Sequence, residues 1–237
     1  MWLRSGMIRE VNGRWGLAKY FAKDEYVGKS VHYYGEYNPD ETEKILELAH
    51  GLCLDIGANI GCISQALVAS GHRVEAFEPQ PEVYKLLCVN VSANTHCVAL
   101  GSEPGEVEMP KVHYSERGNF GGLSCGTKSI YGSYLVPVKT LDSFKFTDVG
   151  FIKLDVEGFE REVLVGGRET IMRDKPVLYI EDDRVERRKA LREMIVELGY
   201  KFTEHQPTLY REQNFFGLQR NVWDQNYASH NLICTPC

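Results

Sequence analysis

The chain has 237 residues, 43% of them hydrophobic, enough for one substantial core and one main domain. Its net charge of −6, from 33 acidic and 27 basic side chains, argues against a nucleic-acid backbone as the main partner. No apolar run approaches ~18 residues and no hydrophobic leader opens the chain, so neither a membrane span nor a secretory signal is expected, and a cytoplasmic site of action is.

The 7 cysteines are odd in number and spread through apolar segments, which reads as reduced core residues rather than a disulfide framework. Residues 1–37 alternate polar and aromatic, with Gly13, Gly16, Gly28 and Gly35 as breakers. Tyr26-Val27 and Ser30–Tyr34 read as short strands of a small β-appendage that is not an independent domain, leaving 38–237 as the main one. A helix is expected from Asn38 as N-cap, with Pro39 at the first position and Glu41 three residues after the cap, running to about His50. Tyr33, Tyr34 and Tyr37, just ahead of it, read first as ordinary packing residues, with cover for an adenosine, at Tyr37 above all, as the alternative.

The stretch from Leu54 to Gly61 reads as a buried strand, a tight glycine turn and a helix starting near Cys62. Such a turn points backbone N–H groups at a ligand. A dinucleotide site wants G-x-G-x-x-G, whereas positions 57, 59 and 62 are Gly57, Asn59 and Cys62. The match is to D-x-G-x-N-x-G, formed by Asp55, Gly57, Asn59 and Gly61. A carboxylate at Asp55 repels a pyrophosphate but suits a ligand with an ammonium and a sulfonium, which is S-adenosylmethionine. An oxidoreductase using NAD is disfavoured for the same reason.

From here strand and helix alternate. Strands are expected at 51–56, 73–78 and 96–100, with helices at 62–70 and 81–91 between them, which implies a parallel sheet with helices on both faces. Glu78 ends the second strand 23 residues after Asp55, a spacing suited to accepting hydrogen bonds from both hydroxyls of a ribose. Leu100 closes the third strand where an adenine edge would lie. Residues 114–134 are glycine-rich and aperiodic, and read as a substrate-facing lid. A fourth strand over 149–158 places Lys153, Asp155 and Glu157 in alternation on one side of its carboxyl end. Three such charges there are costly unless they act. The fifth strand, 176–181, also ends in acids: Glu181, Asp182 and Asp183. The arginines of 184–198 read as a solvated helix face rather than a nucleic-acid patch. Two more strands are expected within 201–216 and 229–234, and the lone C-x-x-C at Cys234–Cys237 is not expected to hold a metal.

Taken together these stretches resemble a class I S-adenosylmethionine-dependent methyltransferase, and more narrowly the FkbM family. The likeness runs over roughly residues 33–235, through Tyr34–Tyr37, Leu54–Gly61, Phe77–Pro79, Ala99–Gly101, Asn119–Gly122 and Val138–Asp142. Its most diagnostic part is Ile152–Gly158, continued by Glu160 and Val163-Leu164, and Asn231–Cys234 resembles the family's closing strand. Residues before about 30 fall outside it, and Glu181–Asp183 is more acidic than the family leads one to expect. The resemblance implies a Rossmann-like, seven-stranded, mostly parallel sheet and methyl transfer to a hydroxyl, often on a sugar or a macrolide.

For that chemistry Asp155 is the first choice of general base, with Glu157 sharing the role or orienting the acceptor and Lys153 balancing the charge. Asp155 belongs with the cofactor-binding set as well, beside Tyr37, Asp55, Gly57, Asn59, Gly61, Glu78 and Leu100. A rival scheme uses Asp155, Glu181 and Asp182 to hold Mg²⁺, which the resemblance does not demand. A ribose 2′-O-methyltransferase acting on RNA stays open because Lys153, Asp155 and Glu181 can imitate its catalytic set, and so does a non-catalytic cofactor-binding module. Amino-group enzymes on DNA bases show D/N-P-P-Y where this chain has Asp155-Val156-Glu157-Gly158, and carbon-5 cytosine enzymes need a Pro-Cys found here only at Pro236-Cys237. The expected acceptor is a small-molecule or glycan hydroxyl.

Overall fold

The structure, a computed structural model, describes residues 6–124, 126–223 and 225–237. It opens with an antiparallel hairpin of β1 (Ile8–Gly13) and β2 (Gly16–Phe21). The strands expected at Tyr26-Val27 and Ser30–Tyr34 are instead one helix, α1 (Val27–Tyr34). The cause is local. The Asp24 carboxylate accepts the N–H of Tyr26 at 3.0 Å and of Gly28 at 3.2 Å, satisfying donors that a helix start leaves open. Gly28 is a packing point rather than a breaker, since a Cβ there would lie 2.6 Å from the Phe21 carbonyl oxygen. The next helix, α2 (Pro39–Leu48), begins after Asn38 as expected, but the Asn38 amide bonds the Glu41 carboxylate instead of the backbone.

The alternation then follows: β3 (Leu52–Ile56), α3 (Cys62–Ala69), β4 (Arg73–Phe77), α4 (Pro81–Asn90) and β5 (Asn94–His96). The expected third strand at 96–100 is two strands in two sheets. His96 ends β5, where its Nε2 meets a Glu75 carboxylate oxygen at 2.6 Å. The chain then turns out of the main sheet, and β6 (Ala99–Leu100) pairs elsewhere, in a three-stranded sheet with β7 (Gly105–Pro110) and β8 (Ser133–Lys139), in the order β6-β8-β7. After a short 3₁₀ turn come β9 (Val149–Leu154), α5 (Glu160–Gly166), α6 (Arg168–Asp174), β10 (Val177–Glu181), α7 (Val185–Glu197), β11 (Tyr200–His205) and β12 (Asn231–Pro236). The fourth strand therefore stops at Leu154, short of Asp155 and Glu157. The main sheet has seven strands in the order β11-β12-β10-β9-β3-β4-β5, all parallel except β12, which runs antiparallel to both neighbours.

Period-two alternation sorts the strand residues onto two faces. Leu52, Leu54, Ile56, Ile152, Leu154, Leu178 and Ile180 pack with Val163, Ile171 and Ile195 of α5, α6 and α7. Cys53, Val74, Phe151 and Tyr179 pack on the other face with Ile45, Ile63 and Leu87 of α2, α3 and α4. Asp55 and Lys153 belong to this second face and are register partners across β3 and β9. The chain leaves β3 and β9 toward opposite sides of the sheet, so a crevice opens beyond their carboxyl ends. Cys53 and Cys234 are buried as expected, whereas Cys62 is half-buried and Cys88, Cys97 and Cys237 are exposed; Cys125 lies outside the described residues. Because Cys234 sits in the core and Cys237 outside it, the terminal C-x-x-C does not converge on a site. Among the described residues no helix is long and apolar enough to cross a membrane.

Candidate functional site

A cavity of about 530 Å³ occupies that crevice, and Tyr37, Gly57, Asn59, Glu78, Leu100, Lys153, Asp155 and Glu157 all line it. Asp55 and Gly61, the other two residues singled out in the sequence, do not. Gly61 is a packing residue: its φ is +92° and a Cβ would meet Val91 at 2.4 Å. Gly57 is forced by close approach, since its φ is +83° and a Cβ would lie 1.7 Å from the Asp155 carbonyl oxygen. The two informative stretches of the sequence thus cross backbone to backbone.

The turn does not present free N–H groups, contrary to expectation. Gly57 and Ala58 both donate to the Phe77 carbonyl, at 3.0 and 2.9 Å, and Gly61 donates to Ala58 at 2.9 Å. The N–H of Asn59 goes to Glu78 Oε2 at 3.0 Å, and that of Ile60 to Asn59 Oδ1 at 2.6 Å. A pyrophosphate would find no donors here, a second argument against a dinucleotide beyond the charge of Asp55.

Asp55 acts from behind the turn. Its side chain has no exposed surface; Ser64 Oγ donates to Oδ2 at 2.6 Å and Lys153 Nζ lies 3.6 Å from Oδ1. The reason is its face of the sheet, which α3 covers, so direct contact with a ligand in the cavity is closed to it. Lys153 is the link: its Nζ donates to the Gly57 carbonyl at 3.1 Å and stands 3.2 Å from Asp155 Oδ2. Burial opposes the charge on Lys153, yet Asp155, Asp55 and Glu41 together outweigh it and hold the ammonium above its ordinary range. Glu41, read in the sequence only as a helix-start residue, is buried beside this group, and burial pushes its carboxyl up to about 8. Nothing in its spacing distinguishes it from an ordinary first-turn acid.

Beyond Leu154 the backbone abandons strand geometry, with φ +55° at Glu157 and +100° at Gly158. Alternation therefore does not align Lys153, Asp155 and Glu157; this kink does. It brings carboxylate oxygens of Asp155, Glu157 and Glu181 within 4.8 Å of one another. Burial, then repulsion from Asp155, raises Glu157 to about 7 in spite of Arg184, whose guanidinium pairs with it. Burial, then Asp155 and Glu157, raises Glu181 well above the usual carboxyl range. Asp182, expected among possible Mg²⁺ ligands, faces away instead and pairs with Arg188 at 3.1 Å and Arg192 at 2.6 Å. The arginines of α7 are thus engaged, Arg187 on the Gly158 carbonyl included, rather than forming an open patch.

Glu78 lies at the other end of the cavity, only 4% exposed. Its oxygens accept the N–H groups of Asn59 and, at 2.8 Å, of Gln80; burial nevertheless raises the carboxyl to about 7. Leu100 lines the wall from the smaller sheet. Of the tyrosines, Tyr37 lines the cavity, while Tyr34 is buried against Trp223 and Tyr33 is exposed, so neither covers a ligand there. Within the expected lid, Asn119 and Gly121–Leu123 reach the cavity, and Phe120 anchors them through an edge contact with Phe21 at 5.5 Å. Gly121 and Gly122 permit the approach, since Cβ atoms there would meet the amides of Asn59 and Asn119 at 2.4 and 2.3 Å. Sequence reasoning missed Tyr26, Gln80, Arg184, Tyr227 and Ser229, all of which line the cavity from segments without a motif.

The sequence matches the family model of the methyltransferase FkbM domain over residues 55–207. No curated protein matches it. Among solved structures, a methyltransferase FkbM from Methylobacillus flagellatus KT is 18% identical, with a TM-score of 0.49, over 89% of this chain and 55% of that one. This chain therefore spans little more than half of that protein's length. The tRNA (uracil-54, C5)-methyltransferase of Pyrococcus abyssi, solved with S-adenosyl-L-homocysteine, superposes with a TM-score of 0.54 at 10% identity, over 98% of this chain and 45% of that one. Magnesium protoporphyrin IX methyltransferase from Synechocystis PCC 6803 is 11% identical, with a TM-score of 0.47, over 90% and 85% of the two chains.

Proposed function

Because the chain belongs to the FkbM methyltransferase family, S-adenosylmethionine is its methyl donor, and we propose that it methylates a hydroxyl of a sugar, glycan or small alcohol with Asp155 as general base. The residues present fit that donor. The cavity offers carboxylates at both ends and, with the turn's N–H groups consumed, no cradle for an anion. Glu78, held by two N–H donors, keeps lone pairs for ribose hydroxyls, and Leu100 and Tyr37 supply apolar wall for an adenine and its neighbours. Bound S-adenosylmethionine supplies a methyl group on a sulfonium, open to in-line displacement by an oxygen held ~3–3.5 Å away.

The observation that carries the reading is Asp155 itself, in the cavity wall, 3.2 Å from a buried ammonium and beside two further acids. A hydroxyl docked there can pass its proton to Asp155 as its oxygen attacks. Glu157, raised to about 7 by burial and by Asp155, exchanges a proton near neutral pH and can relay it outward, while the same causes hold Glu181 well above the usual carboxyl range. Asp55 holds Lys153, and Lys153 holds Asp155 and the Gly57 carbonyl. In this scheme Asp55 positions and Asp155 reacts.

A second reading is favoured by one observation: Asp155, Glu157 and Glu181 can each give an oxygen to a common point, a set suited to a hard divalent cation that would acidify the hydroxyl directly. Glu157 stands where the sequence suggested Asp182. Turnover unchanged by a chelator removes this version. The experiment for the reading as a whole is transfer of labelled methyl from S-adenosylmethionine to glycans, small alcohols and RNAs. Label in a glycan or small-alcohol hydroxyl is the expected result; label only in RNA, or only on nitrogen or carbon, overturns it.

A further inference from the structure

One end of the cavity, away from Glu78 and Leu100, is walled by Tyr26 from the segment before α1 and by Tyr227 and Ser229 from the segment before β12. The orientation of the Ser229 hydroxyl follows from its neighbours. Its Oγ accepts Asn231 Nδ2 at 3.1 Å and Asn38 Nδ2 at a longer 3.4 Å. Both amides are buried, Asn38 with no exposed surface, so water does not compete for them. A hydroxyl has two lone pairs and one proton, and both lone pairs are engaged. No acceptor for the proton lies within hydrogen-bond distance among the described residues, so the O–H is left to donate into the cavity that Ser229 lines.

Acceptors stand beside this donor. Glu181 is the register partner of Asn231, two residues from Ser229, and no described residue donates a hydrogen bond to its carboxylate. Asp183 Oδ1 takes the His230 N–H at 2.7 Å, which leaves its second oxygen to the cavity. Tyr26 and Tyr227 meet edge to face at 5.7 Å, giving an apolar wall next to the polar pair. We propose that Ser229 and Glu181 form the acceptor subsite, gripping neighbouring hydroxyls of one polyhydroxylated ring. One hydroxyl of the ring donates to Glu181 while its neighbour accepts from Ser229, and the carbon face of the ring lies on the tyrosines. The subsite rests on the reading of the reaction as hydroxyl methylation.

The test uses protein saturated with S-adenosylhomocysteine and one probe, methyl glucoside, titrated into the wild type, Ser229→Ala and Ser229→Thr. Methyl glucoside is expected to bind the wild type and Ser229→Thr alike, and Ser229→Ala about 5- to 10-fold more weakly, the worth of one neutral hydrogen bond. S-adenosylhomocysteine affinity in each variant reports that the fold is intact. Equal binding of the glucoside by wild type and Ser229→Ala overturns the subsite, and so does a wild type that binds no glucoside. Hydroxyl methylation is judged separately, by labelled transfer, and survives any of these results if label reaches an alcohol.

Discussion

The two ends of the cavity are built differently. The cofactor end comes from contiguous stretches, 56–63, 77–80 and 98–100, whose backbone groups bond to one another before any ligand arrives. The acceptor end is assembled from Tyr26, Asn119, Glu157, Glu181, Arg184 and Ser229, side chains from five separate segments. There the acids outnumber their partners: Glu157 has Arg184, Asp155 has Lys153, and no described residue donates a hydrogen bond to Glu181. A turn that satisfies itself is rigid and selects one ligand by shape. A surplus of acids is tunable, and leaves the choice of acceptor to loops.

That contrast is broken most severely at Gly57. Gly57→Ala drives a methyl group into the Asp155 carbonyl at 1.7 Å, in a backbone region that disfavours a Cβ. It is expected to lower S-adenosylhomocysteine affinity by more than ~100-fold and to cost about 2–4 kcal/mol of stability, read by calorimetric titration and by denaturant melts. Near-normal affinity would mean that the turn is softer than its hydrogen bonds indicate. Glu78→Ala comes next. It removes the proposed ribose acceptor and strands the N–H groups of Asn59 and Gln80, so affinity is expected to fall ~10- to 100-fold with the fold retained. A loss of less than ~3-fold shows that Glu78 is only a brace.

At the acceptor end smaller and more graded effects are expected. Arg184→Gln takes from Glu157 its one cation, and the guanidinium also reaches Ser124 Oγ at 3.0 Å. The Glu157 carboxyl then rises further, so the acid limb of the pH–rate profile moves upward by about one unit or less, with S-adenosylhomocysteine affinity little changed. An unmoved limb removes Glu157 from the proton path.

The mildest effect is on stability. Burial raises Glu41 to about 8 and Glu78 and Glu157 to about 7, all above the ~4.3 of a free glutamate. Each holds its proton more tightly when folded, so its contribution is complete below pH ~4 and is lost as pH climbs through 7 to 8. The Tm of the ligand-free protein should fall by several degrees between pH 5.5 and 8.5, and Glu41→Gln, which cannot ionise, should flatten part of that slope. A slope identical in the variant shows that Glu41 is not one of the groups responsible.

How much of this was legible in the sequence follows the same division. Short-range patterns reported the sheet and the turn and put Glu78 at the end of a strand, because strand periodicity and glycine placement are local. Two errors differ in cause. Residues 27–34 fold as a helix because Asp24 accepts its first N–H groups, a local effect, whereas 96–100 splits because Ala99-Leu100 finds a partner in β8, some forty residues away in the chain. Asp55 was read as touching the ligand, since spacing says which residue is near a turn but not which face of the sheet it occupies. Glu41, Arg184 and Ser229 were invisible because they reach the site from a helix start, a helix cap and a loop, positions where Glu, Arg and Ser are ordinary.

The central claim is that Asp155 reacts while the residues behind it only position. It is tested most directly by measuring S-adenosylhomocysteine affinity and single-turnover methyl transfer, to whichever acceptor the labelled panel identifies, on one preparation of Asp155→Asn. Affinity within ~3-fold of wild type and a rate lower by at least ~100-fold are predicted. Normal transfer by Asp155→Asn would contradict it and move the base to Glu157 or Glu181.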